Sequence, residues 1–392
     1  GEPLTFISAC HGRSLANGFQ VVGRHAVLPG ADGEACRGVA FDFQGVYIRA
    51  RLKGATRLAA VMTQAASGAE TYRANAFNVH VDSQLASTFD TTTWQGAGDM
   101  IVPLFDSHSV AEAHEVVIWK NTEPQFNVGN ASANHVIFRG FLGPLSMTVD
   151  TDAIVDVRAL KVEFLGDSIT AGFCNAAPAS DSACFCSQIP RQEHFNDSWP
   201  ALVCEELHAE CHVEAWSGLG MVQNCCQQGV TMVPNFWRRT LGSLSGASPT
   251  ETPAANLWDF KAWRPDVLVV NVGTNDEAGG LSDSVIRRYK REYLSLMHQA
   301  VRDYGSSTTL LLACGPMRSG LCPQVRWVVR ELKSSFPNLR VEFLDFTQYQ
   351  PQLSSLFCEH PSAALDALMA HHVLDAMWRL FPVLAPGRRL LV

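Results

Sequence analysis

The hydrophobic pattern changes period about 155 residues into this 392-residue chain, and the two patterns call for different folds. Before that point short apolar runs recur between Gly, Asp, Asn and Ser, several of them with period two. Examples are Val46–Leu52, Asn78–Val81, Met100–Phe105, Val116–Trp119 and His135–Phe138. Many short strands with turn signals between them predict a β-sandwich, jelly-roll-like, with no helical period. Beyond that point strands alternate with helices. Val162–Leu165, His212–Trp216, Asp266–Gly273, Thr309–Leu312 and Val341–Leu344 read as strands. Trp199–Leu207, Ser282–Val301, Val325–Leu332 and Ser362–Leu380 read as helices. That alternation implies βαβ units, a parallel sheet and right-handed crossovers. We therefore expect two domains, an all-β sandwich over 1–155 and an α/β domain over 156–392, as a chain of this length allows. The sandwich is read as accessory, with glycan binding a role open to it. The stretch Thr240–Asn256, rich in Ser, Gly, Pro and Thr, is expected as a surface loop inside the second domain.

Charge narrows the function. Lys plus Arg is 30 and Asp plus Glu 38, a net charge of −8, which argues against a nucleic-acid partner. No apolar stretch approaches the ~18 residues of a membrane span, so no membrane partner is expected. The 12 cysteines are too many for an ordinary cytosolic enzyme, and they lack the repeated CxxC pairs of a zinc module. Nine fall between 174 and 322, mostly in loop-like sequence, which fits disulfides in an oxidising compartment. Cys10 with Cys36 and Cys314 with Cys322 are candidate pairs, although spacing does not give the connectivity. Sequons at Asn130-Ala-Ser132 and Asn196-Asp-Ser198 agree with a secreted glycoprotein. The opening Gly-Glu-Pro-Leu has no leader, so the expectation is a mature chain of the secretory pathway or the extracellular space.

A parallel sheet presents reactive groups at the carboxyl ends of its strands. The first such end reads Leu165-Gly-Asp-Ser168, the second Trp216-Ser-Gly-Leu-Gly220 and the third Gly273-Thr-Asn-Asp276; His360-Pro361 precedes the last helix. Ser168 is a candidate nucleophile and His360 its general base. The N–H groups of Ser168 and Gly218 and the side chain of Asn275 are candidate oxyanion donors. Asp167 and Asp276 are expected to brace their turns through backbone N–H groups.

These four blocks, in this order, resemble the SGNH (GDSL-type) hydrolase family over about 160–385. The resemblance implies a flavodoxin-like αβα domain and serine esterase chemistry without cofactor or metal. His114-Glu-Val-Val-Ile-Trp-Lys-Asn-Thr-Glu123, Arg139-Gly-Phe141 and Ala215-Trp-Ser-Gly-Leu-Gly-Met221 are similar to carbohydrate esterase family 2. That second resemblance implies removal of acetyl groups from polysaccharide.

One position departs from the pattern. The family carries an acid shortly before the histidine, where this chain reads Cys358-Glu359-His360. Three arrangements follow: Glu359 orients the imidazole, a backbone carbonyl does so and leaves a Ser–His dyad, or a disulfide at Cys358 fixes the loop. Trp258 and Trp263 are either packing residues or a sugar-stacking platform. His371, His372 and His194 have no motif support.

The leading expectation is a serine esterase that removes O-acetyl groups from carbohydrate through an acetyl-enzyme. The alternatives are an esterase, lipase or thioesterase acting on another acyl ester, and a non-catalytic carbohydrate-binding protein with a decayed site. The sugar and the oligomeric state are not legible.

Overall fold

A computed structural model describes residues 3–11, 14–30, 36–65, 74–94, 98–106, 113–124, 135–151, 160–177, 192–225, 231–248, 250–353 and 359–384. The chain forms two compact units.

The first unit holds Gly1–Val157 together with Arg238–Trp258. Its two six-stranded antiparallel sheets form the expected sandwich. One contains Leu4–Ser8, Ala26–Leu28, Gly38–Phe41, Arg57–Gln64, Met100–Asp106 and Val136–Pro144. The other contains Phe19–Val22, Tyr47–Lys53, Ala76–Val81, Gln84–Asp90, Ala113–Lys120 and Thr148–Val149. Alternation decides which side chains meet between the sheets: Val116 and Ile118 are buried while Glu115 and Val117 are less so. Phe41 meets Phe77 of the opposite sheet edge-on, and Phe19 packs on Phe138 and Phe141. Arg57–Gln64 escapes a period-two reading because the Val61–Gln64 stretch is buried on both faces.

The stretch Thr240–Asn256 is not the expected surface loop of the second domain; it packs within the sandwich unit. Asp42, fully buried, accepts from Gly242 N (2.9 Å), Ser243 N (2.7 Å) and Ser243 Oγ (2.7 Å). Buried Arg239 donates to the carbonyls of Gly242 and Glu251, and Arg24 donates to the carbonyl of Arg239. Buried charges need such partners, and a local reading of composition does not reveal partners two hundred residues away.

The second unit holds a five-stranded sheet, all parallel, in the order Glu210–Ala215, Lys161–Gly166, Val267–Asn271, Thr309–Cys314, Val341–Asp345. This is the flavodoxin-like order, 2-1-3-4-5. Val267–Asn271 is buried on both faces, which explains its unbroken apolar run. One face, with Phe164, Val269 and Leu311, packs against helices Trp199–Glu206 and Ala363–Leu380. The alternate residues Leu268, Val270 and Leu310 are just as buried, so the other face is also covered. Helices Asp283–Tyr304 and Cys322–Ser335 pack together in that second layer.

Disulfides join Cys10 to Cys36, Cys204 to Cys211 and Cys314 to Cys322, and Cys174 is also disulfide-bonded. Cys184, Cys186, Cys226, Cys358 and the Asn130 sequon lie outside the described residues. Ser198 of the other sequon is fully buried, at the position that precedes helix Trp199–Glu206. No helix among the described residues is long and apolar enough to cross a membrane.

Candidate active site

The strand Lys161–Gly166 ends in a tight turn. Asp167 caps the four-residue helix Ser168–Ala171, its Oδ1 accepting from Ile169 N at 3.1 Å. Gly166 is required because a Cβ there would overlap the Thr170 side chain. Ser168 therefore opens the helix, with its N–H in the first turn, where amides have no intrahelical acceptor. Trp199 holds this turn from below, donating Nε1–H to the Ile169 carbonyl at 3.0 Å.

His360 reaches the same point from the other end of the unit. Its Nε2 lies 2.7 Å from Ser168 Oγ. The Phe173 ring packs beside the imidazole at 5.0 Å between centroids. Ser168 is only 4 % exposed and His360 half-buried, so the serine hydroxyl sits where its hydrogen bonds compete little with water.

Two further turns line up beside it. Trp216 N donates to the Gly166 carbonyl at 3.3 Å, which sets the turn carrying Gly218 next to that of Ser168. Gly218 has φ +77°, a left-handed conformation that favours glycine. Asn275 donates Nδ2–H to the Leu219 carbonyl at 2.9 Å, and Asp276 accepts from the N–H groups of Met221 (2.8 Å), Val222 (2.7 Å) and Gln223 (3.1 Å). The turns at the ends of the first three strands are thus locked together. Asn275 has a second amide hydrogen for a ligand. Burial pushes the Asp276 carboxyl up to about 6, against the pull of those N–H groups. It pushes Asp167 up to about 7, helped by the nearby Asp276 charge and opposed by Ile169 N–H. Both carboxylates accept hydrogen bonds from backbone N–H groups.

This arrangement suits acyl transfer: a hydroxyl within reach of an imidazole, beside backbone and amide donors at the switch point of a parallel sheet. Residues 164–368, just over half of the chain, match the model of the GDSL-like lipase/acylhydrolase family. The chain belongs to the GDSL-like lipase/acylhydrolase family.

Similarity extends past the matched region of this GDSL-like protein. It is 29 % identical over 267 residues to the cellulase/esterase CelE of Acetivibrio thermocellus, covering 67 % of this chain and 29 % of that protein. It is 25 % identical over 267 residues to an acetylxylan esterase/glucomannan deacetylase of Cellvibrio japonicus, covering 66 % of this chain and 67 % of that protein. The chain thus spans under a third of the first relative and two thirds of the second. The structure of a family two carbohydrate esterase from Clostridium thermocellum in complex with cellohexaose superposes with a TM-score of 0.74 at 25 % identity, covering 93 % of this chain and 99 % of that one. A family two carbohydrate esterase from Cellvibrio japonicus shares the fold, with a TM-score of 0.74 at 19 % identity over 98 % of this chain and 100 % of that one.

Other candidates lie elsewhere in this GDSL-like chain. Glu359, the candidate orienter, turns outward: its carboxylate pairs with Arg318 at 3.6 Å and its side chain is 63 % exposed. Its left-handed backbone, φ +61°, sends the side chain away from the imidazole that follows. Trp263 is buried at the amino ends of the strands. It stacks on His212 at 3.6 Å and donates to Glu210, a full strand length from Ser168 and so not at a cleft mouth. Trp258 belongs to the sandwich unit, with the Arg24 guanidinium 5.0 Å from its ring. His194 pairs with Asp197 at 3.5 Å, and His372 bonds Gln348. Among the described residues no group of three His, Cys, Asp or Glu could hold a metal ion.

Three contributors escaped the sequence reading: Phe173, Asn175 and Asp366. Asn175 Nδ2 donates to Asp366 Oδ2 at 3.2 Å and to the His194 carbonyl at 3.0 Å. The available signal was Asp366 itself, an acid within the apolar stripe Leu365, Met369, Val373 of its helix.

Proposed function

We propose that the protein is a serine esterase that removes O-acetyl groups from carbohydrate. The observation that carries this is the 2.7 Å contact between His360 Nε2 and Ser168 Oγ at the end of the first parallel strand. Ser168 Oγ attacks the acetyl carbonyl while His360 takes its proton. The N–H groups of Ser168 and Gly218 and the Asn275 amide hold the oxyanion. The sugar hydroxyl leaves with the proton from His360, and water activated by the same imidazole hydrolyses the acetyl-enzyme. With Glu359 turned to Arg318, the work falls to a Ser–His pair whose imidazole is held by other means than that carboxylate. The relatives named as acetylxylan esterases support acetyl as the acyl group and polysaccharide as the carrier. The disulfides support action in an oxidising compartment, which we propose is extracellular or secretory.

The test is hydrolysis of a chromogenic acetyl ester and of acetylated xylan and glucomannan by wild type and Ser168→Ala. Acetate release by wild type alone is expected. Equal rates in the two proteins, or a preference for long acyl chains, would overturn the reading.

A further inference from the structure

The chain is acidic overall, yet one surface reverses that sign. On helix Asp283–Tyr304, Arg287, Lys290, Arg291, His298 and Arg302 line a groove of about 440 Å3 whose wall is completed by Trp327 of helix Cys322–Ser335. Steps of three, four and seven residues put these side chains on one helix face. The span from Arg287 to Arg302 is roughly 22 Å at 1.5 Å per residue. Between those two residues the only acid is Glu292, which pairs with Arg291 at 2.8 Å. Arg288 turns away and donates to the Val222 carbonyl. Among the described residues Arg287 and Arg302 have no carboxylate partner; Arg302 donates to Gln299 Oε1 at 2.7 Å. Lys290 Nζ sits 4.0 Å from the centre of the Trp327 ring.

Folding does not call for this arrangement. Like charges three and four apart weaken a helix, and a protein of net charge −8 does not need them for solubility. A bound anion would relieve the repulsion. The length of the stripe fits an extended polymer better than a single ion, and the half-buried Trp327 indole, with Lys290 over its ring, adds an apolar wall against which a sugar ring can pack. The helix starts eight residues beyond Asn275, at the catalytic edge of the sheet, and runs back along it, so the stripe leads away from Ser168.

We propose that this groove binds an anionic polysaccharide strand bearing sulfate or carboxylate groups. The choice of polymer rests on the carbohydrate esterase reading; the charge and shape of the groove do not. The experiment is affinity electrophoresis of wild type and of Arg287→Gln/Lys290→Gln/Arg302→Gln through gels containing heparin, polygalacturonate or neutral glucomannan, with a single-stranded oligodeoxynucleotide as competitor. Heparin carries the sulfate arm and polygalacturonate the carboxylate arm. Retardation of wild type by at least one of the two is expected, weakened about tenfold in the triple variant, as loss of several charge-assisted contacts predicts. Unchanged hydrolysis of the chromogenic acetyl ester would verify that the variant is folded. Absence of retardation, equal retardation of the two proteins, or displacement by the oligonucleotide at the same charge concentration would overturn the proposal. Ser168→Ala separates the two readings. If wild type proves inactive but Ser168→Ala is still retarded by the anionic gels, the esterase reading fails while the groove stands.

Discussion

Asn175 and Asp366, 191 residues apart, share a buried hydrogen bond of 3.2 Å that joins the two arms of the candidate site. Asn175 follows the helix that Ser168 opens, and Asp366 lies in the first turn of the helix that follows His360. Burial pushes the Asp366 carboxyl well above the usual carboxylate range, against the pull of Asn175. Asp366→Ala leaves a buried amide without this acceptor, a loss of about 1–3 kcal/mol. It should also loosen the Ser168–His360 pair, lowering kcat with little change in KM. Asp366→Asn keeps an acceptor oxygen and should restore most of the rate. Equal kcat in all three proteins would show that the pair does not set the catalytic distance.

Ser168→Ala and His360→Ala each remove one half of the acyl-transfer unit. A loss of kcat on the order of 10⁴–10⁶ is expected for either, and the double variant should be hardly worse than the single ones. Initial rates on a chromogenic acetate ester decide it. Multiplying losses would mean that the residues act separately.

Glu359→Gln should leave kcat/KM within a few-fold of wild type, because the carboxylate faces Arg318 and solvent. If Glu359 oriented the imidazole, the loss would be ~10³–10⁴.

Asn275→Ala removes an oxyanion donor and one clasp on the Leu219 turn. A drop of about 10²–10³ in kcat is expected. Compensation by the backbone donors alone would appear as a much smaller loss.

Asp167 makes stability depend on pH. Its folded pKa of about 7 lies above the ordinary value of 3.8, so the folded state holds a proton that the unfolded chain releases. The stabilisation is complete below about pH 4 and is lost as pH rises through about 7. Asp167→Asn should therefore gain in melting temperature relative to wild type between pH 4.5 and 8. A difference that is flat over that range would contradict the assignment.

Much of this was readable from residue order alone. Gly-Asp-Ser168, Gly218, Asn275 and His360 fall at strand ends or before a helix, where the parallel topology must bring them to one edge. Other features depend on distant partners. Trp258 and Trp263 look alike in sequence, yet one meets Arg24 and the other His212. The cationic stripe was hidden by the net charge, which sums over surfaces that a ligand meets one at a time.

The placement of Arg238–Trp258 has a consequence for how the protein comes into being. A sandwich that keeps Asp42 and Arg24 buried cannot close when residue 157 leaves the ribosome; it has to wait until about residue 258 has been made. By then two strands of the parallel sheet have already been synthesised. A gene cut at residue 155 would therefore yield a first fragment without the partners of Asp42 and Arg24 and a second carrying a stretch that packs in the other unit.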